Sequence, residues 1–212
     1  MSQRQDATDD ASAIRAGLAH ELRNAAFGLT SGVQWAAAEM GISPTHPALA
    51  RVEEFERRVD AVLRDHELLV GPLPLRPEAV ALAPMADAAC DTIVRAGGQR
   101  PSLVDLPSPA HVWCDEEATT RALEVLMVAA GALSARVDVT LHAESTRASV
   151  QVRGPGIGGP PERWFEPFAR TCPLGSRLSY AVAKRRILAQ GGELRVEVAD
   201  DATIAATLPL AR

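Results

Sequence analysis

IRAGLAHELRNAAFGLTSGVQWAAAEM, residues 14 to 40, decides the first half of the fold. Apolar positions recur at Ile14, Leu18, Leu22, Ala25, Leu29, Gly32, Ala36 and Met40, in steps of three and four. That is the period of one helical face, and it predicts a single long helix over residues 10 to 40. Gly41 reads as its C-cap, since glycine takes the left-handed conformation at little cost. GISPTHP, residues 41 to 47, is a turn rich in Pro and Gly signals. Leu49, Val52, Phe55, Val59, Val62, His66 and Leu69 then predict a second amphipathic helix over residues 47 to 69. Two such helices joined by a short turn form an antiparallel hairpin. A hairpin cannot bury its own stripe. A second copy packed against it, as a dimeric four-helix bundle, is the simplest cover, so a homodimer is expected.

The chemistry of this helix lies in LAHELRN, residues 18 to 24. At about 100° per residue, His20 stands roughly 200° from both Leu18 and Leu22, so it projects away from the apolar stripe into water. An exposed imidazole is a nucleophile through one ring nitrogen. Glu21 beside it can accept a hydrogen bond from the other nitrogen and fix the tautomer. Asn24, one turn on, can orient a water. A metalloprotease helix would need a second histidine where Asn24 stands. His66 sits in another His-Glu pair, but on the apolar stripe, which favours a packed structural histidine. His46, His111 and His142 have no convincing partners in sequence.

The chain has 212 residues and a net charge of -5, with 47% hydrophobic and 23% charged residues. This is the composition of a soluble globular protein with room for one large or two small domains. Its basic residues are scattered, so no nucleic-acid face is expected. No apolar run approaches the roughly 18–20 residues of a membrane span, and the polar N-terminus carries no signal-peptide core. A cytoplasmic protein is expected. Cys90, Cys114 and Cys172 lack metal or redox spacing and read as reduced, mostly buried thiols.

GPLPLRPEAVALAP, residues 71 to 84, holds four prolines and reads as a linker. Beyond it the pattern predicts helices over residues 85–96, 116–134 and 178–190, with a short apolar run over 111–114. Strand pairs are predicted at 137–143 with 148–152, and at 193–198 with 203–208. Helices interspersed with antiparallel strands suggest a two-layer α/β sandwich.

AHELRN is similar to the phosphoacceptor box of sensor histidine kinases, with Ala25 and Ala26 in place of the usual Pro-Leu. Three further stretches, from about Pro84 to Leu208, resemble their ATP-binding domain. DEEATTRALEVLMVAAGALSA, from Asp115, resembles the helix of the asparagine box. RGPGIGGPPERWFEPFART, from Arg153, resembles the first glycine box and the phenylalanine box. GSRLSYAVAKRRILAQGGELRVEV, from Gly175, resembles the second glycine box. In the family, an asparagine on the first of these holds magnesium, and here Ala129 stands there. An aspartate that accepts from the adenine amine is replaced by Val152. Arg177 and Tyr180 replace two glycines of the second box. A methyl group cannot ligate magnesium, which requires oxygen. Trp164 to Phe168 are kept, as aromatics that would pack the core or cover the site.

The resemblance implies an α plus α/β chain: a dimerisation and phosphotransfer hairpin over residues 1–70, a linker over 71–83, and a degenerate ATPase-like sandwich over 84–212. His20, Glu21 and Asn24 are the expected site residues. No cofactor is expected in this chain. Magnesium would come with the partner, a response-regulator receiver domain. The implied activity is histidine phosphotransfer in a two-component phosphorelay, between receivers and without ATP. A receiver phosphatase using Glu21 and Asn24, and a receiver-binding scaffold, are the alternatives.

Overall fold

The computed structural model describes residues 2–104, 110–158, 160–169 and 172–211, with side chains described from Gly17 onward. The chain divides into two compact units, Met1–Gly71 and Pro72–Arg212.

The first unit is the expected hairpin, built of α1 (Ser2–Glu39) and α2 (Pro47–Val70). Gly41 has φ +66°, and Ile42 N donates to Ala37 O at 2.8 Å, so glycine ends α1 as expected. His46, which lacks a partner in sequence, caps α2: its Nδ1 accepts from Ala48 N at 3.2 Å. Pro47 follows where its missing N–H is harmless.

The face of α1 that is buried in this hairpin differs from the stripe read in sequence. The buried residues are Ala19, Ala26, Thr30 and Ala37, with Leu49 and Leu63 on α2. They recur in steps of seven and four, and small side chains permit close helix approach. Leu18, Leu22, Leu29 and Met40 are exposed, Leu18 at 59%. On α2, Phe55 and Val62 are exposed as well, while Leu63, outside the predicted stripe, is buried. Leu22, Phe55, Val59 and Val62 line one open apolar groove together. Hydrophobic period locates a stripe but not the partner that covers it. Alanine gives that pattern little weight. The Ile14 side chain lies outside the described residues.

The second unit is a two-layer sandwich. Its elements are β1 (Glu78–Ala81), α3 (Leu82–Arg95), β2 (Ser102–Val104), β3 (His111–Cys114), α4 (Glu116–Ala129), β4 (Asp138–Ala143), β5 (Arg147–Gly154), α5 (Ser179–Ala189), β6 (Glu193–Val198) and β7 (Ala202–Pro209). Five strands form one sheet in the order β2-β4-β5-β7-β6, antiparallel except for the β2–β4 pair. β1 and β3 make a separate antiparallel ribbon. Alternation explains the layers: Ala202, Ile204, Ala206 and Leu208 of β7 are buried, and the residues between them are half-buried. Val139, Val150 and Val152 join them from the neighbouring strands, and Leu123, Leu126 and Met127 of α4 and Ile187 of α5 complete one core. Burying each of these large side chains contributes about 1.5–3 kcal/mol.

Two strands escaped the sequence reading. β1 lies inside the stretch expected to be a linker, and the second unit begins at Pro72. Pro77 precedes β1 directly, so the prolines mark its entry rather than a free tether. β2 has only three residues and is held by parallel pairing to β4. Neither strand is long enough to show a period. All three cysteines are buried and free, as expected.

Candidate functional site

His20 lies on α1 and is exposed, as are Glu21 and Asn24. His20 stands about 100° round the helix from buried Ala19, and Asn24 lies one turn further and about 40° round from His20. Leu18 and Leu22 fall on the other side of Ala19. The structure therefore places the imidazole and the carboxamide together on a wet flank, away from the apolar groove. Among the described residues, no hydrogen bond engages the His20 ring, and the residue is exposed.

Arg23, which sequence reasoning passed over, fixes the rotation of this turn. Its Nε lies 3.2 Å from Asp60 Oδ1, and Nη2 lies 3.3 Å from Glu67 Oε1. A seven-residue spacing stacks the two carboxylates on α2, and that spacing was the available signal. The pairs are half exposed, so each contributes at most about 1 kcal/mol to stability. Their larger effect is geometric. They pin Arg23, directly before Asn24, to the partner helix. His66 is half-buried on α2.

The second unit shows where the residues lie that the resemblance sets at nucleotide-binding positions. Ala129 ends α4 with no exposure. Val152 is equally buried, at the register position between Val139 and Ile204. Where the resemblance implies an adenine acceptor, the chain has one member of a row of apolar cross-strand neighbours. The glycines of GPGI serve packing. A Cβ on Gly154 would come within 2.6 Å of Val137 Cγ1 and collide with the carbonyl of Ala130. Gly156 has φ +73°, and a Cβ there would stand 2.6 Å from the buried Trp164 ring. Gly159 lies outside the described residues.

The second glycine box needs a correction. Aligned residue by residue, Arg177 and Ser179 stand at the lost glycines, and Tyr180 follows at an apolar position. Tyr180 is 1% exposed within α5 and meets Phe165 edge to face, with ring centroids 6.2 Å apart. It is a core residue. Ser176 N donates to Ser179 Oγ at 2.8 Å, and Leu178 N donates to Ser176 Oγ at 2.9 Å. Backbone N–H groups at a helix start are the usual phosphate cradle. Here serine hydroxyls occupy two of them. Trp164 and Phe165 are buried as expected of core aromatics, but Phe168 is exposed. A cavity of about 590 Å³ remains beside α4, with Val128, Leu133, Gly156, Ile157, Pro173 and Tyr180 among its walls. None of the described residues lining it carries a charge.

Two of the thiols are held in their protonated form. Burial pushes Cys90 up to about 11, helped by Asp87 and Asp91 and opposed by Arg100. Burial also raises Cys114, against a hydrogen bond with Thr119.

No protein-family model matches the chain, and no curated protein matches it in sequence. Solved structures do. The mycobacterial sensor histidine kinase MprB is 26% identical with a TM-score of 0.53, covering 64% of this chain and 98% of its own. Full-length ShkA, solved with AMPPNP, is 22% identical with a TM-score of 0.70; the match covers 93% of this chain but 45% of ShkA. Histidine kinase ThkA, solved with the response regulator TrrA, is 16% identical with a TM-score of 0.65, covering 98% of this chain and 64% of ThkA. No helix among the described residues is long and apolar enough to cross a membrane. A helical hairpin followed by an α/β sandwich, matched over nearly the whole chain, is a histidine-kinase-like fold.

Proposed function

We propose that this chain is a histidine phosphotransferase of a two-component phosphorelay. His20 accepts a phosphoryl group from a response-regulator aspartate and passes it to a second receiver, and the chain does not phosphorylate itself from ATP. A His20 ring nitrogen attacks phosphorus in the receiver's phosphoaspartate. An N–P bond forms as the P–O bond to the aspartate breaks, and the carboxylate leaves with the electron pair. In the transfer complex the Glu21 carboxylate turns to accept a hydrogen bond from the N–H of the other ring nitrogen. Reversal toward a second receiver completes the relay. Positioning dominates phosphoryl transfer, and an exposed histidine on a braced helix meets that need. Magnesium comes with the receiver's own acidic pocket. A receiver is the fitting partner because ThkA, which has this fold, is solved with a response regulator.

The observation that carries the ATP-independent reading is Ala129 and Val152, both without exposure, where a metal ligand and an adenine acceptor would be needed. Going without either hydrogen-bonding or ligating group costs about 1–3 kcal/mol of nucleotide affinity. The hydroxyl-occupied loop at Ser176 to Ser179 supports the same reading.

Incubating the purified protein with a phosphorylated receiver, and separately with ATP and magnesium, tests this. Label should reach wild type from the receiver alone and should not reach His20→Ala. Label arriving from ATP would overturn the reading of Ala129 and Val152. No label from either source would leave a phosphatase or a scaffold.

A further inference from the structure

Phe168 is the one described non-glycine residue with positive φ, at +61°. A bulky side chain rarely occupies that region, so something must hold it there. Its side chain cannot, being 54% exposed. Two hydrogen bonds can. Phe168 N donates to Arg177 O at 3.1 Å, and Arg177 Nη2 donates back to Phe168 O at 2.5 Å. Both polar groups of one peptide residue are thus held by one arginine. The charged donor makes the second bond the stronger kind. Arg177 stands where the resembling box has glycine, so the side chain that removes backbone access also supplies the tie. On either side of it, Ser176 N and Leu178 N are bonded to serine hydroxyls.

We propose that Arg177 is an internal latch: it ties Phe168 to the start of α5 and orders this edge of the domain without any bound ligand. In a nucleotide-binding loop the phosphates draw the backbone N–H groups together. Here two serine hydroxyls accept from such N–H groups within the chain, and the Arg177 guanidinium donates to the Phe168 carbonyl beside them. Ala169, next to the latched residue, and Pro173 line the cavity beside α4, so the latch also fixes one wall of it. This inference rests on the reading that the domain does not use ATP, and the two can fail separately.

Amide hydrogen exchange on the full chain, without nucleotide, tests the latch. The Phe168, Ser176 and Leu178 amides should be protected in wild type. Arg177→Ala should speed exchange at Phe168 by about ten- to a hundredfold, the loss of one charge-assisted bond. In a Phe168→Gly background the same change should have a smaller effect, because glycine takes positive φ freely. If Arg177→Ala does not fold, the double variant decides: recovery with glycine supports the latch, and continued unfolding overturns it. Phe168 exchanging as an open chain in wild type, or unchanged exchange in Arg177→Ala, would also overturn it. Adding ATP and magnesium to wild type should change nothing. New protection there would reject the ATP-independent reading, while the comparison without nucleotide would still judge the latch.

Discussion

His20 and Asn24 share a flank of α1 but offer different chemistry, so single substitutions should separate transfer from hydrolysis. Asn24→Ala should leave phosphoryl arrival at His20 within about threefold of wild type, a change of under 1 kcal/mol. If instead it abolishes receiver dephosphorylation while His20→Ala does not, water activation is the main activity. The buried thiols give a second residue-scale test. Cys90 titrates at about 11 in the folded protein, above its ordinary 9.0, because burial disfavours the thiolate. Between those values the unfolded chain has lost its proton and the folded one has kept it. Stability therefore falls as pH rises through that window, by up to about 3 kcal/mol from this group. Urea midpoints measured from pH 8.5 to 11 should decline less steeply in Cys90→Ala, and parallel slopes would remove the thiol from the account. His20 was legible because its neighbours spell a motif. Arg23 was not, because its partners Asp60 and Glu67 lie on the other helix.

Elements carry the next scale of argument. α1 has two apolar faces, and sequence period picked the one with larger side chains. The hairpin buries the other, where Ala19, Ala26 and Ala37 allow close approach. The long periodic elements were readable: β6 falls on its predicted residues, Glu193–Val198, and α5 within one residue of its predicted ends, at Ser179–Ala189. β1 and β2 were hidden because four or three residues, paired with distant strands, contain no period of their own. The glycine run invites a ligand interpretation from sequence alone. In the structure Gly156 is required by Trp164 and by its own φ of +73°. Gly156→Ala should therefore destabilise the protein by about 2–5 kcal/mol, from the left-handed backbone and overpacking together. Equilibrium urea denaturation would measure it. A loss under about 0.5 kcal/mol would mean that the Trp164 side yields freely.

For the whole molecule, the open groove of Leu22, Phe55, Val59 and Val62 is a surface that the homodimer expected from sequence would cover. Leu22→Glu with Phe55→Glu should shift sedimentation equilibrium from dimer to monomer while helical circular dichroism persists in the folded hairpin. A double variant that stays dimeric would place the interface elsewhere. The sequence by itself determined the hairpin, the longer α/β elements and the exposed histidine, because each rests on local period or on a contiguous motif. It also determined that Ala129 and Val152 lack the atoms to hold metal or adenine. Only the tertiary structure decided which face of α1 is buried, that Tyr180 belongs to the core, and that Arg177 ties Phe168. Those outcomes depend on contacts between residues distant in sequence, and local pattern carries no record of which surfaces meet.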